Sequence, residues 1–526
     1  MAVVAALATT AVMVAQPSAP ATGNQQLMTS VGGSGGGLER FTGQHLTWHG
    51  CQTGPDDDLG KKLDDVDAQC ADVTVPLDYT KPDGRTLTVA ISRRRATDTA
   101  HRLGTLVVNT GGPGESISTG VTWVVNGEPP FVATGSPKVA ARYDLVGVDP
   151  RFHHRSSPLK CLWPTGAATR APFVGPDRAS FERSVALTKD LAGRCTAQKD
   201  LLPHASTRDI ARDLDVVRAV LGEQKISYLG WSYGSILGAV YGQLFPSHLD
   251  RTVIDGNLDP STWGPESNRG NSPAQVAEQR NWAAWAARHH RTYRLGSTTA
   301  QVMHVLDVIG KVADRGRPVP MGRYQVDLNS VRSLGLGTDT EETYALWSQL
   351  MRLFYDAARG RKVALPPEVG ELFESLSATE ESSEASAFWA TLCADRAASS
   401  RDPETYYRDI QAHRTDEPFY GPPNRNVTPC TFWPASPAEA PTQVQNAVPV
   451  LMVAATGDPA VPYPGQLAMH RALTGSRLIT LKGAFRHGVY LFEDNKCVND
   501  RVNHYLLTGD LPAADTTCTR TSPIPK

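Results

Sequence analysis

One serine in this sequence has the surroundings that turn a hydroxyl group into a nucleophile. Residues 230–234 read Gly-Trp-Ser-Tyr-Gly, a G-x-S-x-G pattern centred on Ser232. In this pattern the serine occupies a sharp strand-to-helix turn, and the flanking glycines omit side chains that would clash there. The apolar residues 226–229 predict a short buried strand, and residues 235–245 predict a helix packed under the sheet. We therefore predict Ser232 as a catalytic nucleophile.

The same pattern occurs a second time, at residues 32–36, with Ser34 at its centre. This second match lies in a glycine run that has no strand pattern before it and no helix pattern after it. Such a run is typical of a flexible linker. The pattern alone is weak evidence, and the flanking elements favour Ser232 over Ser34.

A serine nucleophile needs a base, and the base needs a group that orients it. For a serine on such a turn, the expected order along the chain is serine, acid, histidine. Asp458 follows an apolar strand at residues 448–455, and His487 follows another at residues 477–481. We predict Asp458 and His487 as the acid and the base. The alternatives are a turn aspartate before proline and a surface-loop histidine.

The tetrahedral intermediate of acyl transfer needs two N–H donors beside the nucleophile. The backbone of Tyr233, directly after the serine, is the first candidate. The second candidate comes from the Gly-Gly-Pro-Gly loop at residues 111–114. Because Pro113 has no N–H to donate, we predict Gly112, with Pro113 stiffening the loop around it. The alternative is a plain glycine turn.

The elements that would position these groups alternate between strand and helix patterns. Residues 71–76 and 86–91 predict antiparallel strands joined by a Pro-Asp-Gly turn. Residues 104–110, 143–149 and 251–256 predict further strands, the first two being continuous apolar runs typical of the centre of a parallel sheet. Helical patterns between the later strands complete a β-α-β alternation, which predicts an α/β fold with a mostly parallel sheet.

Between residues 260 and 442 only helical patterns occur, a stretch far longer than a crossover between sheet strands. We predict that this insertion is a helical cap over the carboxyl edge of the sheet, where sites in such folds lie. The cap would come before the last two sheet strands. The predicted units are a signal-like segment and linker at 1–40, a first core part at 41–259, the cap at 260–442 and a second core part at 443–526.

The overall composition excludes some classes of partner. The chain has 526 residues and a formal net charge of −2, with 20% charged and 40% hydrophobic residues. This composition describes a soluble globular protein, and its charge does not suggest a nucleic-acid or acidic-membrane partner.

The N-terminus indicates export. Ala2 to Val14 is small and apolar and is followed by Pro, Ser and Ala, as in a secretory signal. No Lys or Arg precedes Arg40, so a disordered tail is the alternative. The apolar run is too short to span a membrane, and no later stretch qualifies.

Eight cysteines also favour export, because an even number in an exported chain indicates disulfides. No C-x-x-C pair and no Cys/His zinc spacing occurs, so we expect no metal site. We expect cysteines that are neighbours in sequence to pair, with buried free thiols as the alternative. The expected pairs are Cys51 with Cys70, Cys161 with Cys195, Cys393 with Cys430, and Cys497 with Cys518.

Five motifs occur in the order seen in a known family. They are the Gly-Gly-Pro-Gly loop at 111–114, Asp-Pro-Arg at 149–151, the turn at 230–234, Gly-Asp-Pro at 457–459 and His-Gly at 487–488. Together with the tail from Cys497 to Cys518, they make residues from about 45 to 520 resemble the secreted tripeptidyl aminopeptidases of actinomycetes. The broader resemblance is to the proline iminopeptidases, which have the α/β-hydrolase fold.

The resemblance implies serine-dependent removal of short peptides from free N-termini, without a metal or cofactor. Carried over to this chain, it implies a triad of Ser232, Asp458 and His487. It also implies that Gly112 and Tyr233 form the oxyanion hole.

Two features bear on the substrate. After the Asp-Pro-Arg motif the family usually has Gly-Thr-Gly, whereas this chain has Phe152, His153 and His154. These bulky residues either narrow the pocket or form a repacked surface loop. Glu115 and Glu266 are candidates to bind a substrate ammonium, because a desolvated amine needs an opposite charge. Solvated surface glutamates are the alternative.

Two functions fit these residues. The first is an exported serine exopeptidase (an aminopeptidase) that releases short peptides, in particular tripeptides, or single residues, with the cap walling off the far end of the cleft. The second is an esterase or other acyl hydrolase acting on a small-molecule ester or amide, since both reactions share the tetrahedral intermediate. The family resemblance favours the peptidase. A binding protein on an inactive scaffold is disfavoured because no catalytic position is missing.

Overall fold

The computed structural model describes residues 37–128, 132–164, 175, 177–333, 335–376 and 381–520. Residues 1–36 of the predicted signal-like segment and linker lie outside the described residues, and so does the second G-x-S-x-G pattern.

A nine-stranded sheet forms the centre of the molecule. The first two strand pairs at one edge of the sheet are antiparallel, and the six remaining pairs are parallel. The predicted α/β-hydrolase fold with a mostly parallel sheet is confirmed, but three strands rather than two follow the insertion. In spatial order the strands are β1 (Ala68–Pro76), β2 (Thr86–Arg94), β4 (Asp144–Val148), β3 (Thr105–Asn109), β6 (Ile226–Trp231), β7 (Leu249–Asp255), β11 (Val450–Ala455), β12 (Ser476–Lys482) and β13 (Thr516–Thr519).

Helices cover both faces of this sheet. Every residue of β3, β4, β6 and β11 is buried, which is possible only when neither face is open to water. Successive residues enter different apolar clusters, with Val107 and Tyr228 in one and Val108 and Leu229 in the other. The helices of this part are α1 (Glu39–Thr42), α2 (Asp58–Asp64), α3 (Thr119–Asn126), α4 (Pro137–Arg142), α5 (Arg178–Arg194), α6 (Thr207–Val220), α7 (Tyr233–Leu244), α16 (Tyr463–Ala472) and α17 (Lys496–Thr508).

The insertion has an apolar cluster of its own, in which the rings of Trp282 and Trp347 meet edge to face at 6.4 Å. Its helices are α8 (Ser272–Arg288), α9 (His290–Tyr293), α10 (Thr299–Ala313), α11 (Glu341–Ala358), α12 (Pro367–Leu376), α13 (Glu384–Asp395), α14 (Pro403–Ala412) and α15 (Gly421–Asn424). The expectation that residues 260–442 are helical throughout is wrong at two places. β8 (Val319–Met321) and β9 (Tyr324–Val326) form a hairpin, and β10 (Glu381–Ser382) pairs with β5 (Trp163–Pro164).

Short 3₁₀ helices connect several of these elements. They are Thr99–His101, Thr196–Gln198, Leu202–His204, Pro246–His248, Leu328–Ser333 and Pro429–Phe432. Within the described ranges, none of the helices combines the length and the apolar character that crossing a membrane requires.

The cysteines form the four disulfides that the sequence predicts. The bonds join Cys51 to Cys70, Cys161 to Cys195, Cys393 to Cys430, and Cys497 to Cys518. The last bond ties β13 to the first turn of α17, the helix that follows the loop carrying His487. The C-terminal strand is therefore fixed to the part of the sheet that carries the predicted base.

Candidate active site

The predicted nucleophile lies between β6 and α7. Ser232 has φ +55° and ψ −120°, a backbone conformation that costs free energy for any residue other than glycine. Its N–H donates to the carbonyl oxygen of Asp255 on the neighbouring strand at 2.9 Å. The end of β7 therefore helps to hold the strained turn, and the serine side chain stays partly exposed.

The two glycines of the turn are required by close backbone contacts. A Cβ on Gly230 would lie 2.5 Å from the carbonyl oxygen of Gly234, and a Cβ on Gly234 would lie 2.7 Å from that of Asn109. Both distances are shorter than real Cβ contacts. The spacing of the G-x-S-x-G pattern thus follows from the packing of β6, α7 and the end of β3.

The predicted base and acid are paired. Asp458 Oδ2 lies 2.9 Å from His487 Nδ1, and the carboxylate of Asp458 is 1% exposed. The other carboxylate oxygen accepts the N–H groups of Ala460 and Val461, both at 2.9 Å. Burial disfavours the charged imidazolium, but the charge and hydrogen bond of Asp458 outweigh this and raise the pKa of His487 above its usual 6.5.

The histidine ring and the serine flank the same residue, Gly256. A Cβ on Gly256 would lie 3.0 Å from His487 Cε1 and 3.6 Å from the Ser232 nitrogen. The φ of Gly256 is +63°, so glycine is favoured there on both counts. The structure therefore brings Ser232, His487 and Asp458 together at the carboxyl edge of the sheet, and their catalytic roles stay predictions.

The glycine loop after β3 approaches the serine closely. A Cβ on Gly111 would lie 2.9 Å from Ser232 Cβ, and the Gly111 N–H is already donated to Asn109 Oδ1 at 3.1 Å. Gly112, the next residue, is exposed. The N–H of Tyr233 is the first of α7 and has no acceptor within its own helix. Of the two predicted oxyanion donors, Tyr233 directly follows Ser232, and Gly112 lies on the loop beside it.

Asp255 is a residue of the candidate site that the sequence reasoning missed. It ends β7, is fully buried, and its Oδ2 accepts the N–H groups of Val489 at 2.8 Å and Tyr490 at 2.7 Å. Its Oδ1 has no hydrogen-bond partner among the described residues. Burial raises the pKa of Asp255 to about 6. Asp255 thus holds the loop that carries His487. The signal that could have identified it is a carboxylate at the end of the strand that follows the nucleophile.

The two glutamates predicted to bind a substrate ammonium are held by protein donors. Glu115 Oε1 accepts the Ser118 N–H at 2.6 Å, and burial followed by the nearby charge of Asp149 raises the pKa of Glu115. Glu266 Oε1 accepts the Ser399 N–H at 2.7 Å and the Tyr406 hydroxyl at 2.5 Å. The Oε1 atoms of Glu115 and Glu266 are therefore already occupied by hydrogen bonds within the protein.

A different glutamate, Glu278 of α8, has a free oxygen. Glu278 is 1% exposed, and its Oε1 has no hydrogen-bond partner among the described residues. The backbone N–H groups of Leu336 and Gly337 favour the charged form of the carboxylate, and the Gly337 carbonyl accepts the His487 N–H at 2.8 Å. Burial, with the charges of Asp339 and Asp458, raises the pKa of Glu278 well above its usual range. No motif in the sequence marks this position.

The residues at 152–154 pack against the insertion. Phe152 and His153 are buried, and the His153 ring lies 3.4 Å from Thr391 Oγ1 on α13. The His154 N–H donates to Glu384 Oε1 at 2.6 Å. Of the two predicted roles, this geometry favours packing, because the His153 ring and the His154 backbone contact a helix of the insertion while Phe152 is buried.

A metal site is a separate question. The described residues contain no group of three or more His, Cys, Asp or Glu side chains arranged to hold a metal ion.

The groups around Ser232 are a hydroxyl, an imidazole paired with a buried carboxylate, and backbone N–H groups. These are the components of acyl transfer through a serine nucleophile.

Known proteins resemble this chain over most of its length. Residues 417–518 match a family described as TAP-like protein. The chain is 34% identical over 465 residues to the tripeptidyl aminopeptidase of Streptomyces lividans, covering 86% of this chain and 83% of that protein. It is 28% identical over 475 residues to serine protease Hip1 of Mycobacterium tuberculosis, covering 86% and 87%. It is also 31% identical over 473 residues to carboxylesterase B of the same organism, covering 86% of each chain.

Proposed function

The chain belongs to the family of the tripeptidyl aminopeptidases and is a serine hydrolase, and from this premise we propose that it is an exported exopeptidase that releases tripeptides from free N-termini. The proposal rests on the pairing of His487 with Asp458 at 2.9 Å. The His487 ring and the strained turn of Ser232 lie on either side of Gly256. Export is supported by the apolar stretch at residues 2–14 and by the four disulfides.

In the proposed reaction Ser232 Oγ attacks the scissile carbonyl carbon while His487 Nε2 takes the hydroxyl proton. Asp458 holds the Nδ1–H of His487 and stabilises the imidazolium that forms. The N–H groups of Gly112 and Tyr233 stabilise the oxyanion. His487 then gives its proton to the leaving amine, and water hydrolyses the acyl-enzyme by the same steps.

We assign recognition of the free N-terminus to Glu278. Burial disfavours the charged form of Glu278 and leaves its Oε1 without a donor; a substrate ammonium would supply the donor and the opposite charge that stabilises the carboxylate. Glu278 is also linked to His487 through a single residue, Gly337. Glu115 and Glu266 are weaker candidates because their Oε1 atoms already accept hydrogen bonds.

Product analysis by mass spectrometry tests the activity. The purified protein is incubated with a peptide of about ten residues, once with a free N-terminus and once N-acetylated. Tripeptides released only from the free peptide are expected. Ser232→Ala should remove this release while the melting temperature stays unchanged. Ser34→Ala is the matched control, because it alters the second G-x-S-x-G pattern and should stay fully active.

Glu278→Gln tests the ammonium site. It should lower kcat/KM on the free peptide by about tenfold or more, since a charged hydrogen bond is lost. Hydrolysis of a short-chain aryl ester, which carries no ammonium, should not change. Glu266→Gln is the matched control and should leave both activities intact. An equal loss on peptide and ester would show that Glu278 supports the fold instead of binding the amine.

The second candidate function is hydrolysis of a small-molecule ester, favoured by the 31% identity to a carboxylesterase B. The same triad would carry it, because ester and amide hydrolysis share the tetrahedral intermediate. The aryl ester distinguishes the two functions. Ester cleavage with both peptides left intact would replace the exopeptidase proposal with this one.

A further inference from the structure

Four charged side chains form a buried cluster beside the loop that carries His487. They are Asp339 from the loop before α11, Arg486 and Glu493 from the segment after β12, and Arg520 from the chain after β13. Their side chains are 0%, 1%, 10% and 4% exposed, respectively. Two arginines and two carboxylates balance the charge of this cluster.

Arg520 is the member that joins the two carboxylates. Its Nη2 lies 2.8 Å from Asp339 Oδ1, and its Nη1 donates to Asp339 Oδ2. On its other side, Nε lies 2.9 Å from Glu493 Oε1 and Nη2 lies 2.6 Å from Glu493 Oε2. Arg486 Nη1 completes the cluster at 3.2 Å from Glu493 Oε2. Without Arg520, Asp339 would lose the guanidinium that is bonded to it, and an unpaired buried charge is strongly unfavourable.

The cluster is bonded to the backbone at the candidate base. Asp339 Oδ2 accepts the Phe485 N–H at 2.8 Å, and the carbonyl of Gly337, two residues before Asp339, accepts the His487 N–H at 2.8 Å. Arg486, between these two residues, sends its side chain into the cluster. Residues 485, 486 and 487 are therefore each tied to the same cluster or to the loop that holds Asp339.

The position of Arg520 is itself fixed by the sheet. β13 pairs in parallel with β12, the strand that leads into the histidine loop, and Thr519 lies opposite Lys482. Cys518, two residues before Arg520, is bonded to Cys497. Arg520 thus directly follows a strand that a disulfide holds in place, although it lies 33 residues beyond His487 in the chain.

We propose that Arg520 is a positioning residue for His487. It holds the insertion loop at Asp339 and the segment at Glu493 together, and so keeps the imidazole in reach of Ser232. The inference rests on the proposed function, in which His487 is the base. Small misplacements of a catalytic group reduce the rate of the chemical step far more than substrate binding.

The test compares Arg520→Ala and Arg520→Lys with wild type. The alanine variant should lose about 100-fold in kcat with little change in KM. Guanidinium ion at low millimolar concentration should restore part of the lost kcat, because it can bridge the two carboxylates, whereas urea of the same shape but no charge should not. The lysine variant should lose about tenfold, since an ammonium lacks the fork that binds two carboxylates. Arg501→Ala, which removes an exposed arginine of α17, is the matched control.

The outcomes separate this inference from the proposed function. Labelling by a fluorophosphonate, located by peptide-mapping mass spectrometry, reports whether Ser232 is the reactive serine. If wild type is not labelled at Ser232, the proposed nucleophile is wrong. If wild type is labelled and the Arg520→Ala variant is folded with an unchanged kcat, the positioning role is wrong. Should the alanine variant not fold, Arg520→Lys decides, and a wild-type kcat in that variant overturns the proposal.

Discussion

The protonation state of His487 determines when the proposed nucleophile is activated. The charge and hydrogen bond of Asp458 outweigh the effect of burial and raise the pKa of His487 above 6.5. A general base works only when it is neutral, so activity is lost as the pH falls through this raised pKa. We expect kcat/KM to fall about tenfold per pH unit on the acid side, with a midpoint above pH 6.5. Initial rates across the pH range check this, and a profile without an acid limb would exclude a histidine base.

Asp458→Asn separates the charge of the acid from its shape. The amide removes the negative charge that raises the pKa of His487, so the acid limb should move to lower pH. The kcat should fall by about 10⁴, as expected when a triad loses its acid. Asp494→Asn, which removes an exposed carboxylate from the segment after β12 that carries His487, controls for net charge and should leave both quantities unchanged. An acid limb that stays in place in Asp458→Asn would show that another group raises the pKa.

At the scale of elements, two glycines of the loop after β3 differ in the space that surrounds them. A Cβ on Gly111 would lie 2.9 Å from Ser232 Cβ, and its φ of +108° disfavours any other residue. A Cβ on Gly114 would meet no atom within 4 Å. We expect Gly111→Ala to displace the serine and lower kcat by about 100-fold. Gly114→Ala should change kcat by less than about twofold, as surface substitutions do. Equal activity of the two variants would mean that the loop moves away from Ser232 freely.

Elements with local determinants could be predicted from the sequence. The turn at 230–234 has its strand, its glycines and its helix within about twenty residues. The disulfides join cysteines that are neighbours in sequence. β13 could not be predicted, because only one of its four residues, Cys518, is buried and the segment forms a strand by pairing with β12. The side chains that the sequence reasoning missed depend on distant partners. Asp255, for example, accepts N–H groups 234 and 235 residues later in the chain.

At the scale of the molecule, the insertion and the C-terminal tail meet at the histidine loop. The insertion contributes Gly337 and Asp339, whose oxygens accept the N–H groups of His487 and Phe485. The tail contributes Arg520, which binds Asp339. Three segments far apart in the sequence thus determine where one imidazole lies. Stability of the tail should therefore affect catalysis and not only unfolding.

A comparison of two disulfides tests this link. The bond between Cys497 and Cys518 has a sequence separation of 21, and the bond between Cys51 and Cys70 has one of 19. In the chain-entropy model each stabilises the fold by about 3 kcal/mol, so replacing either pair with serines should lower the free energy of unfolding by a similar amount in denaturant titrations. Only the first pair fastens the strand before Arg520, so only its loss should also lower kcat, measured at a temperature where both variants are folded. If both double variants keep the wild-type kcat, the fastened tail does not position the base; if both lose it equally, the loss is not specific to the tail and the link is wrong.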